Sequence, residues 1–124
     1  MNPRYIIMVV DDDEAVRESI KFALELEGLT VIACGSGAEL LAHPDLNLAG
    51  CLVLDYRMPD MDGFQVVDRL AEHQVKVPII LITSPVTESF RRRAKAVGVR
   101  VVLEKPLLNG ALVKGIQEAL GHIA

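Results

Sequence analysis

The sequence predicts an α/β domain built on one parallel sheet with helices on both faces. Three observations carry this. Five short apolar runs alternate with five segments of helical periodicity. The runs are mostly continuous rather than alternating in apolar residues, as in strands buried on both sides. Four of the five runs stop abruptly at polar residues, where a parallel sheet gathers its ligand-binding groups.

The elements follow in order. Tyr5 to Val10 reads as the first strand, followed at once by Asp11, Asp12 and Asp13. Val16, Ile20, Ala23, Leu24 and Glu27 then recur at helical spacing, and Gly28 supplies a C-terminal stop. Leu29 to Cys34 is the second strand, and Gly35-Ser36-Gly37 turns into a short helix over Ala38 to Ala42 that ends near Pro44. Cys51 to Asp55 is the central strand, closed by Asp55 in a solvent-accessible position before Pro59 and Gly63 break regular structure. A helix runs from Gly63 to Glu72 with Phe64, Val67 and Leu70–Ala71 on one side. Ile79 to Thr83 is the fourth strand, and a basic helix spans Thr87 to Val97, closed by Gly98. Val101 to Leu103 is the fifth strand, followed by Glu104-Lys105-Pro106. A last helix from about Asn109 to Leu120 carries Leu112, Ile116 and Leu120 on one stripe.

At 124 residues the chain makes one domain over 1–124, large enough to bury its own core. With 51% hydrophobic and 24% charged residues it is globular and not disordered. No apolar run approaches the roughly 20 residues needed to span a bilayer. The N-terminus lacks a signal-peptide layout, so the expected location is cytoplasmic, with no membrane partner. A net charge of -4 argues against direct nucleic-acid binding. If Cys34 and Cys51 flank the first strand, about 9–10 Å separates them, beyond the reach of a disulfide. They read as ordinary buried thiols.

Right-handed crossovers bring the C-terminal strand ends to one edge. Standing there are Asp11 and Asp12, Asp55, Thr83 and Lys105. Each has a plain alternative: Asp11–Asp13 as a helix cap, a role that suits Asp13; Asp55 as a strand terminator; Thr83 as a strand-edge residue; Lys105 in a surface turn. Agreement among four strand ends outweighs these separate readings. Three neighbouring carboxylates repel unless a cation compensates them. Oxygen ligands without His or Cys favour a hard ion, most simply Mg²⁺, completed by waters and the backbone carbonyl of Arg57. Lys105 suits a carboxylate or phosphate oxygen, and Thr83 adds a hydroxyl donor. Carboxylate nucleophile, Mg²⁺, Lys and hydroxyl together are the parts of a phosphoryl-transfer site.

With these residues in view, the chain resembles the receiver domain of two-component response regulators along its whole length. The resemblance rests on Val9-Val10-Asp11-Asp12, on Asp55-Tyr-Arg-Met58-Pro59-Asp-Met-Asp-Gly63, on Leu81-Ile82-Thr83 and on Lys105-Pro106. It implies a flavodoxin-like doubly wound five-stranded sheet of strand order 2-1-3-4-5. It also implies that Asp55 accepts a phosphoryl group from a sensor histidine kinase or phosphotransfer protein, while Asp11 and Asp12 hold Mg²⁺, Asp12 directly. Thr83 and Lys105 would bind the phosphoryl oxygens. Such a domain catalyses its own phosphorylation and dephosphorylation and acts on no separate substrate. It signals through the surface of the fourth helix, fifth strand and last helix, to an effector or a homodimer partner. The sequence departs from the family pattern at Val102, where an aromatic is usual, at Ser84-Pro85 and at Val99-Arg100-Val101.

Two other functions compete. A Mg²⁺-dependent phosphohydrolase with an Asp nucleophile would carry Asp-x-Asp, but Arg57 stands two residues after Asp55. A degenerate receiver serving only as a binding module would not need Asp11, Asp12, Asp55, Thr83 and Lys105 intact. No second module follows the last helix within the 124 residues, which fits a single-domain regulator or the receiver part of a longer protein. On the first helix, Ala15, Ser19 and Phe22 form a stripe beside the acidic residues. It is a candidate kinase-docking face, unless Phe22 packs under the last helix. Arg91, Arg92, Arg93 and Lys95 give the fourth helix a basic face, either merely solvated or meeting an acidic partner or a second copy.

Overall fold

A computed structural model describes residues 6–107 and 110–120. Five strands, β1 (Ile6–Val10), β2 (Thr30–Cys34), β3 (Ala49–Asp55), β4 (Ile79–Thr83) and β5 (Val101–Glu104), pair in parallel in the order β2-β1-β3-β4-β5. Helices α1 (Glu14–Leu26), α2 (Gly37–Leu41), α3 (Gly63–Glu72), α4 (Glu88–Ala96) and α5 (Ala111–Ala119) follow the strands in turn. This is the doubly wound sheet that the sequence predicts.

Successive side chains of a strand point to opposite faces, and the sheet divides two apolar cores accordingly. Met8, Val10, Leu52, Leu54 and Leu81 meet Leu40 of α2, Phe64 and Leu70 of α3 and Ala94 of α4. Ile7, Val9, Val53, Ile80 and Ile82 meet Ile20 and Leu24 of α1 and Leu112 and Ile116 of α5. Strand order reverses between β1 and β3, which opens the crevice at their carboxyl ends.

Local chemistry sets the helix starts. Asp13, Ser36, Asp62 and Thr87 each accept a backbone N–H at the N-terminus of α1, α2, α3 and α4. Asp62 and Gln65 complete a capping box. Gly28 and Gly98 stand just past α1 and α4 with φ of 86° and 95°, left-handed values that glycine takes at little cost.

Several boundaries and faces differ from expectation. Strand β3 starts at Ala49, two residues before Cys51, and is preceded by a 3-10 turn, Leu46–Leu48, too short to leave a periodic signal. Strand β2 begins at Thr30, because Leu29 still donates its N–H to Leu24 of the preceding helix. In α2, Gly37 belongs to the helix and Ala42 is its cap. In α4, Thr87 and Val97 are the caps, and β5 continues to Glu104. Ala23 and Glu27 are exposed, so the core stripe of α1 is Ile20 and Leu24 with Val16 half-buried; likewise Val66 and not Ala71 is buried on α3. Tyr5 and Asn109, expected at element ends, lie outside the described residues.

Phe22 is 65% exposed, so it does not pack under the last helix. Cys34 and Cys51 are free and buried, in register with Val10 and Ile7 respectively, so an offset along the strands adds to the two strand spacings. Desolvation pushes their thiols up to about 11 and about 12, well away from reactive thiolate. Among the described residues no helix is long and apolar enough to cross a membrane.

Gly63 opens α3 in a tight place. A Cβ there would lie 2.6 Å from Leu81 Cδ1 and 3.1 Å from the Tyr56 backbone. Gly63→Ala is therefore expected to destabilise the fold by about 1–3 kcal/mol through overpacking. Urea titration should show a lower midpoint at unchanged slope. An unshifted midpoint would mean that the turn after β3 backs away freely.

Candidate functional site

The register of the sheet builds the site. Val10 pairs with Leu54, which brings Asp11, the next residue, alongside Asp55 at the end of β3. Asp55 pairs with Ile82, so Thr83 lies one residue further along the neighbouring strand. Thr83 pairs with Glu104, and the Lys105 N–H donates to the Thr83 carbonyl at 2.9 Å, carrying the lysine to the same edge. One carboxylate oxygen from each of Asp11, Asp12 and Asp55 lies within 4.8 Å of the others. Lys105 Nζ stands 3.2 Å from Asp55 Oδ1 and 3.9 Å from Asp11 Oδ2. The sequence-predicted side chains thus gather around one pocket at the carboxyl edge of the sheet.

Asp55 is less open than its place at a strand end led us to expect. It is 5% exposed, beside Asp11 at 2% and Thr83 at 3%, while Asp12 is exposed. The loop after β3 is pinned beside it: Tyr56 donates its N–H to Ile82 O at 2.9 Å, Gly63 donates to Tyr56 O at 2.8 Å, and Met58 is buried in the apolar core. Asp11 is fixed from the other side. Its Oδ1 accepts the Asp13 N–H at 2.9 Å, and its carbonyl accepts from Arg17 Nη1 at 2.8 Å. Arg17 is not among the sequence-predicted site residues. A lone arginine six residues after Asp11 marks no contact, because its reach depends on the angle at which α1 leaves β1.

Burial drives the electrostatics. Desolvation raises the Asp55 pKa above 3.8, the Asp11 charge raises it further, and Lys105 and the Arg57 backbone N–H oppose both. Asp11 is likewise raised, first by desolvation and then by Asp12 and Asp13, against the Asp13 backbone N–H and Lys105. One ammonium leaves this group of carboxylates undercompensated. An all-oxygen cluster of this kind fits a hard divalent cation.

A second assembly went unread in the sequence. The Tyr56, Phe64 and Phe90 rings pack with centroids 4.9 to 5.1 Å apart, joining the residue after Asp55 to α3 and α4. Arg93 caps it, its guanidinium 4.3 Å from the centre of the Phe64 ring. The three aromatics come from separate elements, so no spacing in the sequence announces them.

A carboxyl whose folded pKa lies above its unfolded value binds its proton more tightly in the folded state. Its stabilisation is present at low pH and is lost as pH rises from the ordinary value to the folded one. Without divalent cations, the melting temperature of the wild-type chain should therefore fall across the window that opens above 3.8, relative to Asp55→Asn. The difference between the two melting curves, measured in chelator over that range, checks it; parallel pH profiles would refute it.

Relatives carry this arrangement into a known family. Transcriptional regulatory protein FixJ of Rhizobium meliloti is 33% identical over 120 residues, spanning 96% of this chain and 58% of FixJ. An uncharacterized 14.6 kDa protein of Leptolyngbya boryana is 34% identical, spanning 90% of this chain and 87% of its own. The chain thus spans just over half the length of the curated FixJ relatives that it matches. Among solved structures, FixJ-N superposes with a TM-score of 0.86 at 30% identity over 100% of this chain and 98% of its own. Chemotaxis protein CheY4 of Vibrio cholerae gives 0.86 at 28%, over 94% and 99%. The response regulator receiver domain matches residues 7–117, and the chain belongs to that family.

Proposed function

We propose that residues 1–124 form one receiver unit in which Asp55 is the phosphoacceptor of a two-component relay. The observation that carries this reading is the lysine ammonium 3.2 Å from a buried Asp55, at the centre of a carboxylate cluster spanning no more than 4.8 Å. A carboxylate oxygen of Asp55 attacks the phosphorus of a phosphohistidine, the P–N bond breaks and the imidazole leaves. Asp11, Asp12, Asp55 and the Arg57 carbonyl would hold Mg²⁺, which would supply charge neutralisation for the transferring group. Lys105 and Thr83 hold the phosphoryl oxygens, and burial limits the water that reaches them. The chain accelerates its own phosphorylation and dephosphorylation in this way.

The phosphoryl donor is a sensor histidine kinase or phosphotransfer protein. A groove between α1 and α5 opens beside Lys105, lined by Ala15, Ser19, Ala23, Pro106 and Leu107, and suits the donor's helices. Phe22, expected in the same docking stripe, does not line this groove. The output surface is α4, β5 and α5, read by an effector or by a second copy. Arg57 two residues after Asp55 withholds the second carboxylate that a phosphohydrolase would use as acid and base.

Incubation with acetyl phosphate and Mg²⁺ followed by intact mass should show one added phosphoryl group on wild type and none on Asp55→Asn. Steady release of phosphate from monoesters would support the hydrolase instead, and no reaction would leave a binding module. Asp12→Ala should abolish labelling and the Mg²⁺-dependent rise in melting temperature. Without Mg²⁺, its stability should stay within about 0.5 kcal/mol of wild type, as for a surface substitution. A melting rise by Mg²⁺ equal to wild type would remove Asp12 from the metal set.

A further inference from the structure

Two surfaces of this chain carry charges with no salt-bridge partner among the described residues, although the Glu18 charge is felt by Lys21. Among the described residues the ion pairs are Lys21–Glu25 and those of Lys105 with Asp11 and Asp55. Arg92, Lys95 and Arg100 therefore have no carboxylate within salt-bridge distance there, and Glu14 and Glu18 have no cation. Lys95 and Arg100, but not Arg92, border a groove of about 440 Å³ between α4 and β5, formed with Arg91, Gly98, Val99 and Val102. Its floor is apolar, with Val99 buried and Val102 half-buried. Arg91 is steadied at the rim by donating to Val102 O at 3.4 Å.

The glutamates belong to the outer face of α1. There Phe22 is 65% exposed and Leu26, one turn on, is 71% exposed. Glu18 lies one turn before Phe22 and Glu14 one turn before Glu18, so an acidic row runs into an apolar pair. Exposed apolar side chains set together on one helix face mark an interaction surface. This face and the groove are complements in both respects: apolar anchors against an apolar floor, and glutamates against arginine and lysine.

They cannot meet within one molecule. Helix α1 packs over β1 and β2 in the core that it shares with α5. Helix α4 belongs to the other core, beside β5 at the opposite edge of the sheet. We propose that a second copy of this chain docks its α1 face, Glu14, Glu18, Phe22 and Leu26, on the α4–β5 groove, head to tail. A two-fold pairing of α4 with itself would instead set Arg92 and Lys95 near their own copies, and like charges facing each other oppose association. The head-to-tail contact uses a different surface from each partner and leaves one free surface at either end, so it propagates. The contact needs no phosphoryl group and does not rest on the phosphoacceptor reading.

Sedimentation velocity of the purified full chain tests it. Mass should rise with concentration at about 50 mM salt, and association should weaken roughly tenfold or more at about 500 mM. Lys95→Glu with Arg100→Glu blocks the groove; Glu18→Lys with Phe22→Ala blocks the α1 face. Each variant alone should stay monomeric. Mixed in equal amounts they should form a one-to-one dimer that grows no further, because one intact groove meets one intact α1 face. Unchanged far-UV circular dichroism and an unshifted thermal melt in both variants establish that neither has simply unfolded. A wild type monomeric throughout, a blocked variant that associates as wild type does, or a mixture that stays monomeric would each overturn the proposal.

Discussion

Two carboxylates held side by side out of water are the costly feature on which this structure turns. Asp11 and Asp55 do not sit together by choice of rotamer; the parallel pairing of β1 with β3 leaves them adjacent as the strands end. A sheet buried on both faces is the stiffest support a small domain offers, and the repulsion cannot be relieved by backing away. Relief has to come from an added positive charge. Lys105 supplies one, and its position is fixed by a backbone bond from its own N–H to Thr83. The pocket is therefore short of positive charge, which is the condition that makes a divalent cation and a strongly charged transferable group welcome there.

The surroundings couple that pocket to the rest of the chain on one side more than the other. Tyr56 follows Asp55 directly and packs edge-on against Phe64 and Phe90, so the loop after β3 is in contact with α3 and α4. Arg93 lies over Phe64, which draws one arginine of α4 inward and distinguishes it from Arg92 and Lys95 on the same helix. Val102, half-buried on β5, packs against the apolar core on this side of the sheet without an aromatic ring of its own. The large rings near the pocket thus come from the residue after Asp55, from α3 and from α4, and none comes from β5.

The fold and the polar residues of the pocket were legible because both leave local marks. Short apolar runs of three to six residues, four of the five stopped by a charged or hydroxyl residue, give the strands and the strand-end chemistry together. What stayed hidden depends on distance through space. The depth of Asp55 depends on how the neighbouring strands and the loop after β3 pack around it, and nothing in the sequence around Asp55 measures that packing. Arg17 reaches the Asp11 carbonyl only because α1 starts at a particular angle to β1. The Tyr56, Phe64 and Phe90 cluster joins three elements that the sequence keeps far apart. The 3-10 turn at Leu46–Leu48 is shorter than any period that could reveal it.

The placement of aromatic side chains has an optical consequence. The chain contains no tryptophan and two tyrosines, of which Tyr56 is covalently next to Asp55. Its ring is locked against two phenylalanines in an asymmetric apolar setting, the condition under which a phenol gives a strong near-ultraviolet circular dichroism signal. The protein thus carries its own unlabelled chromophore beside the pocket. Any event that shifts the loop after Asp55 changes the environment of that chromophore, and a spectrum can follow it in solution without dye, tag or substitution.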